Sequence, residues 1–237
     1  MIRQLVFDLP PVVALTRADF LISPANASAL QAIDGWRDWP GAKLVLIGPE
    51  GSGKTHLARI WADGTADGTA VGTGEGTGGG AAAILSAADL ARIDIAPLAG
   101  QRVVVEDAQA TGPNEAALFH LHNLVTTSGG ALLLTADKPP RDWGLSLPDL
   151  LSRMQAAALA RLEAPDDALL ASVLVKLFAD RQVQVSPALV GFLVSRMPRS
   201  IGTARRLVAA LDEAALAAGR PVTRSLAARV LDSLSLA

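Results

Sequence analysis

The chain has 237 residues, 50% of them hydrophobic, and a formal charge of -2; it can bury a substantial core, and no bulk positive charge favours nucleic acid or an acidic membrane. Cysteine is absent, which excludes disulfides, thiolate metal sites and cysteine nucleophiles. No apolar run reaches the roughly 18 residues of a membrane helix and no signal-peptide core opens the chain, so a soluble cytoplasmic protein is expected.

At the N-terminus Leu5, Phe7 and Leu9 alternate behind Gln4, and Pro10-Pro11 stops any helix. Such a peptide is either an edge strand of the core or a strand-like segment that docks into a partner's pockets. Phe20-Leu21-Ile22 then leads to a helix with Ala27, Leu30, Ile33 and Trp36 on one face and Asn26 at its start, a natural N-cap. The buried run Leu44-Val45-Leu46-Ile47 predicts the first core strand. It is followed by Gly48-Pro49-Glu50-Gly51-Ser52-Gly53-Lys54-Thr55 and a helix beginning near His56. Strand, G-x-x-x-x-G-K-[ST] loop and helix in that order form a phosphate-binding loop. Its glycines let successive N–H groups face one anion, Lys54 reaches the outer phosphates, and the Thr55 hydroxyl is placed for Mg²⁺.

Residues 63–81 are a Gly/Thr-rich stretch with almost nothing to bury, expected to be a flexible insertion without a site. A second strand is predicted at 82–86, a short helix from 87, and a third strand over 102–105 that runs into Glu106 and Asp107. Carboxylates at the end of a buried strand beside a phosphate loop are placed to hold Mg²⁺ and orient an attacking water. A helix over 114–127 carries Leu118, Leu121, Leu124 and Val125 on one face. His120 and His122, two residues apart, point to different sides and form no helical metal pair. The strand at 131–136 brings Thr135 and Asp137 to the edge that holds the phosphate loop, where either would contact the outer phosphate or its water. A short helix near 147–154 presents Arg153, and a last strand is predicted at 159–163.

From Asp166 the pattern is helical, with Leu169, Val173 and Leu177 at four-residue spacing and Ser186-Pro187, Ser200 and Thr223 as cap signals. The expected organisation is an extended segment at 1–18, an α/β base with a parallel five-stranded sheet at 19–165, and a helical lid at 166–237.

This order of parts resembles the AAA+ nucleotide-binding module, and more narrowly the family of the bacterial replication initiator DnaA and its shortened relative Hda. The resemblance covers nearly the whole chain and rests on GPEGSGKTHL at 48–57, LFHLHNL at 118–124, LLLTADKPP at 132–140 and DLLSRM at 149–154. It implies ADP or ATP with Mg²⁺ in the phosphate loop, with Thr55 and Glu106 on the metal, Asp107 as the base, and Thr135 or Asp137 as the first sensor. It also implies Arg205, with Arg206 one residue away, as the lid's sensor; Phe20, Leu21, Ile22 and Asn26 beside the adenine; and Arg153 as a finger acting on a neighbouring subunit's nucleotide. The Glu106-Asp107 order departs from the family's usual Asp-Asp or Asp-Glu. A shift of about 1 Å in the attacking water costs about 100-fold, so slow intrinsic hydrolysis is implied.

Gln4, Leu5, Phe7 and Leu9 resemble the peptide by which such proteins dock on the DNA-polymerase sliding clamp. No helix-turn-helix segment follows the lid, so sequence-specific DNA binding is not expected. The resemblance therefore implies a regulator of replication initiation that stimulates hydrolysis of ATP held by DnaA, has weak or partner-dependent ATPase activity of its own, and is able to form homo-oligomers. Two other readings are a helicase-loader-like ATPase in its own right and a scaffold that keeps the fold without nucleotide.

Overall fold

The computed structural model describes residues 15–64 and 82–234. Gln4, Leu5, Phe7 and Leu9, and nearly all of the Gly/Thr-rich stretch, lie outside the described residues. Five strands, β1 (Lys43–Ile47), β2 (Ala83–Ser86), β3 (Arg102–Glu106), β4 (Ala131–Ala136) and β5 (Ala158–Arg161), form one sheet in the order β2-β3-β4-β1-β5, every pair parallel. The expected parallel five-stranded sheet is thus present. β1, β3 and β4 are central and read as near-continuous apolar runs because helices cover both faces.

Alternate residues of these strands supply two cores. On one face Leu44, Leu46, Val104 and Leu133 pack with α1 (Ala27–Asp34) and α2 (Lys54–Ala62), through Leu30, Ile33, Leu57, Ile60 and Trp61. On the other Val45, Ile47, Val103, Val105 and Leu134 meet α3 (Glu115–Thr127) and α4 (Pro148–Gln155), through Leu118, Leu121, Val125, Leu150 and Met154. Since all strands run the same way, their C-terminal ends gather at one edge. Gly48 continues the ladder there, its N–H donating to the Ala136 carbonyl at 3.1 Å.

Beyond residue 166 four helices, α5 (Asp167–Asp180), α6 (Pro187–Val194), α7 (Ile201–Ala218) and α8 (Arg224–Leu234), share a separate core containing Leu174, Phe178, Leu193, Leu207 and Leu211. Side-chain oxygens of Asp166, Ser186 and Ser200 accept the N–H of Leu169, Leu189 and Thr203, satisfying donors that a helix start leaves unpaired.

Local departures from the pattern have local causes. α1 stops at Asp34 and Trp36 sits in a separate 3-10 turn, Trp36–Asp38. Asn26 precedes α1 but caps nothing: its Oδ1 accepts the Ser23 N–H at 2.8 Å and its Nδ2 donates to the Leu21 carbonyl at 2.9 Å. Ala87–Arg92 is 3-10 rather than α. On α3 the buried stripe takes His122 in place of Leu124, which is only partly covered.

Candidate functional site: a cavity between the loop after β1 and the lid helices

The loop after β1 is shaped by close approaches that forbid side chains. A Cβ on Gly48 would lie 2.7 Å from the Leu162 carbonyl oxygen and from Ser52 Oγ, and one on Gly51 (φ +73°) would meet Ser200 Oγ. The second contact belongs to α7, whose first N–H, from Ile201, donates to the Gly51 carbonyl at 2.7 Å. The lid is therefore bonded directly to the loop. Lys54 opens α2, and its Nζ donates to the carbonyls of Gly48 at 2.7 Å and Pro49 at 3.0 Å. Burial lowers its pKa, opposed by the carboxylates of Asp107, Asp137 and Glu50.

Loop and lid enclose a cavity of about 550 Å³, a usual size for a small-molecule site. The loop contributes Glu50, Gly51, Gly53, Lys54, Thr55 and His56, and β3 contributes Asp107 at its end. Apolar wall comes from Phe20 and Leu21, and from Leu169, Val173 and Leu177 of α5. Gly202 and Arg205 of α7 close the lid side. Arg205 is half-buried with its Nε buried and unpartnered, and burial lowers its pKa; Arg206 is exposed and turns to Thr203 Oγ1 at 3.3 Å.

Several expected residues stand behind the wall. Gly48, Pro49 and Ser52 shape the loop without lining the cavity. Ile22 points outward at 66% exposure, and Asn26 lies buried beneath the segment that carries Leu21. Of the four residues expected beside a base, Phe20 and Leu21 line the cavity, while Ile22 and Asn26 do not and the Asn26 amide bonds the Leu21 carbonyl behind it. Thr135 is 2% exposed, and its hydroxyl accepts the Asp107 N–H at 3.1 Å. It positions Asp107 rather than facing the cavity. Asp107 adopts a left-handed backbone (φ 55°, ψ 47°), a conformation tolerated by Asp and concentrated at functional sites. Glu106 and Asp137 do not line the cavity. Glu106 Oε1 is buried without a partner, and the Asp137 N–H is donated to Gln109 Oε1 at 3.4 Å.

The sequence reading missed the polar strap at the cavity mouth. Lys176 of α5 bonds Asp19 Oδ1 at 2.9 Å and Asp180 Oδ2 at 2.8 Å, and Arg17 grips Asp34 of α1 at 2.6 and 2.7 Å. The 3-10 turn Arg17–Asp19 is thereby tied to both α1 and α5. His56 joins it, its Nε2 donating to the Thr16 carbonyl at 2.9 Å while its ring meets Phe20 edge-on at 5.2 Å. Of these pairs Lys176–Asp180 alone joins residues four apart on one helix.

Among the described residues no group of three or more His, Cys, Asp or Glu side chains forms a metal centre. The oxygen donors at hand, Thr55 and Asp107 on the wall and the orphaned Glu106 carboxylate oxygen one residue away, suit Mg²⁺, which takes one or two protein ligands and completes its shell with phosphate and water.

Arg153 lies away from this cavity. α4 buries Leu150 and Met154 in the base and leaves Arg153 exposed, its guanidinium 5.5 Å from the Phe119 ring centroid.

An uncharacterised protein of Haemophilus influenzae is 31% identical to this chain over 193 residues, 80% of this chain and 81% of the relative. The chain belongs to its family. No protein-family model matches it. Solved structures add the architecture. Domain III of the replication initiation protein DnaA from Thermotoga maritima is similar at a TM-score of 0.77 and 18% identity, over 92% of this chain and 96% of that one. AMPPCP-bound DnaA from Aquifex aeolicus follows at 0.65 and 15%, over 86% and 67%, and a RuvB variant from Thermotoga maritima at 0.58 and 16%, over 89% and 67%. This chain therefore has the AAA+ fold: a parallel α/β base followed by a helical part.

Proposed function

We propose that the protein is a regulator of replication initiation that holds adenine nucleotide in the cavity and stimulates hydrolysis of ATP bound to the initiator DnaA. On this reading the loop N–H groups and Lys54 take the phosphates, Phe20 and Leu21 with the α5 side chains take the base, and Arg205 contacts the phosphates from the lid. Thr55, Asp107 and Glu106 would hold Mg²⁺, which when bound neutralises developing phosphoryl charge. Residues 4–9 dock on the sliding clamp and bring the protein to its target.

The observation that carries the reading is Arg153. It is exposed, lies off the protein's own cavity and makes no ion pair or hydrogen bond among the described residues. A cation so placed cannot serve its own nucleotide and is available to a neighbour's. An arginine supplied in trans accelerates phosphoryl transfer by about 10³- to 10⁵-fold. The test is turnover of DnaA-bound ATP with and without DNA-loaded clamp. Clamp-dependent acceleration that disappears in Arg153→Ala is expected; equal turnover with wild type and Arg153→Ala would refute the reading.

A second reading, an ATPase in its own right, is favoured by Asp107, which lines the cavity in a constrained backbone held by Thr135. Hydrolysis by the isolated protein, lost in Asp107→Asn with nucleotide still bound, would support it.

A further inference from the structure

One stripe of α3 serves α4 and its arginine. Glu115, Phe119 and His122 are spaced i, i+4, i+7, which lines their side chains in a row. The Glu115 carboxylate accepts the N–H of Ser146 at 2.9 Å and of Leu147 at 2.8 Å, the two residues leading into α4. One turn on, the Phe119 ring lies within cation–π reach of the Arg153 guanidinium, at 5.5 Å. A further turn brings His122, 2% exposed, with Nε2 buried and unpartnered.

Lys43, at the start of β1, completes the group. It is only 7% exposed, and its ammonium folds over the Gly41 turn, 3.0 Å from where a Cβ on Gly41 would stand. No carboxylate bonds Lys43, His122 or Arg153 among the described residues. Burial lowers the pKa of both Lys43 and His122, and the Arg153 charge adds to that lowering in each. Arg153 thus has an aromatic ring beside it and no bonded carboxylate among the described residues.

We infer that Phe119 is a positioning residue for Arg153. The ring holds the plane of the guanidinium, so its N–H donors stay presented to a phosphoryl group on a nucleotide bound by a neighbouring subunit. This rests on the trans reading of Arg153 given above. A free arginine samples many rotamers and must be ordered at each encounter; a held one has that cost reduced in advance. The effect belongs in the maximal rate and not in the affinity between the proteins.

The experiment is turnover of ATP on the initiator with wild type, F119L, F119W and R153A of the full chain, titrated to saturation, with thermal melts to verify folding. F119L is expected to lower the maximal rate about 10-fold at an unchanged half-saturating concentration, and F119W to restore it. R153A gives no stimulation. A wild-type maximal rate in F119L, with R153A inactive, would overturn the positioning role and leave the trans reading standing. A loss in F119L that F119W fails to restore would also overturn it, by marking a role in folding alone. Wild-type stimulation by R153A would instead overturn the trans reading, and this inference with it.

Discussion

The two edges of the sheet treat positive charge in opposite ways. At the C-terminal edge cations are balanced from within: Lys54 feels Asp107, Asp137 and Glu50, and Lys176 is bonded to Asp19 and Asp180. At the opposite edge Lys43, His122 and Arg153 have no bonded carboxylate among the described residues. A balanced edge with an enclosed cavity suits a small ligand that exchanges with internal contacts. An exposed guanidinium without a bonded carboxylate, as at Arg153, suits an anion brought by another molecule. Substitutions at each edge should therefore separate nucleotide affinity from action on a partner.

Lys54→Ala should break the C-terminal edge most. Its ammonium already bonds two loop carbonyls, and charge-assisted hydrogen bonds contribute about 1.5–3 kcal/mol each, so nucleotide affinity should fall about 100-fold. Calorimetric titration with ADP checks this. The same titration on Arg153→Ala should give wild-type affinity; a shared loss would dissolve the distinction between the edges.

Part of the cavity's framework was legible in the sequence. The loop after β1 shows in its glycine spacing because glycine is required wherever backbone or Ser200 crowds it, and the parallel sheet follows from apolar runs that only a doubly covered sheet can bury, whereas the order of its strands does not. Arg153 could be named from Ser152-Arg153-Met154, yet the Phe119 ring beside it could not, because that contact forms only where α3 packs against α4. The strap was hidden for a related reason. Asp19 and Lys176 meet only after the lid packs over the base, and nothing in either local pattern announces the other. Asn26 misled because an Asn before a helix normally caps it, whereas here its amide is engaged by Ser23 and Leu21.

A smaller effect should come from Gly51→Ala. The added methyl meets Ser200 Oγ and lies 2.8 Å from Ser200 Cβ in a positive-φ position, so the lid must withdraw and the Ile201–Gly51 bond stretch. A destabilisation of about 2 kcal/mol is expected, read by denaturant unfolding, together with weaker ADP binding. Stability unchanged from wild type would mean that the lid is not set by the loop. Lys176→Met should act more gently. The pair is partly exposed, so its loss costs about 1 kcal/mol or less, but it releases the strap at the cavity mouth. Dissociation of a fluorescent ADP should quicken a few-fold with little change in melting temperature.

The smallest effect concerns pH and tests the buried histidines at both edges at once. Burial holds the pKa of His56 and of His122 below the ordinary value of 6.5. The unfolded chain therefore takes up protons at these positions before the folded protein does, so both favour the fold fully above about pH 6.5 and lose that contribution as pH falls toward their folded values. Melting temperature should decline between about pH 7.5 and 5.5, before the carboxylates of Asp19 and Glu115, whose pKa values are lowered, begin to titrate. His122→Asn should flatten part of that decline without altering ADP affinity, because His122 lies on α3 and does not line the cavity. His56→Asn should flatten another part and also alter ADP affinity, since His56 lines the cavity wall and holds Thr16. If both variants left affinity untouched, the strap and the nucleotide cavity would be mechanically separate, and the C-terminal edge would no longer behave as a single balanced site.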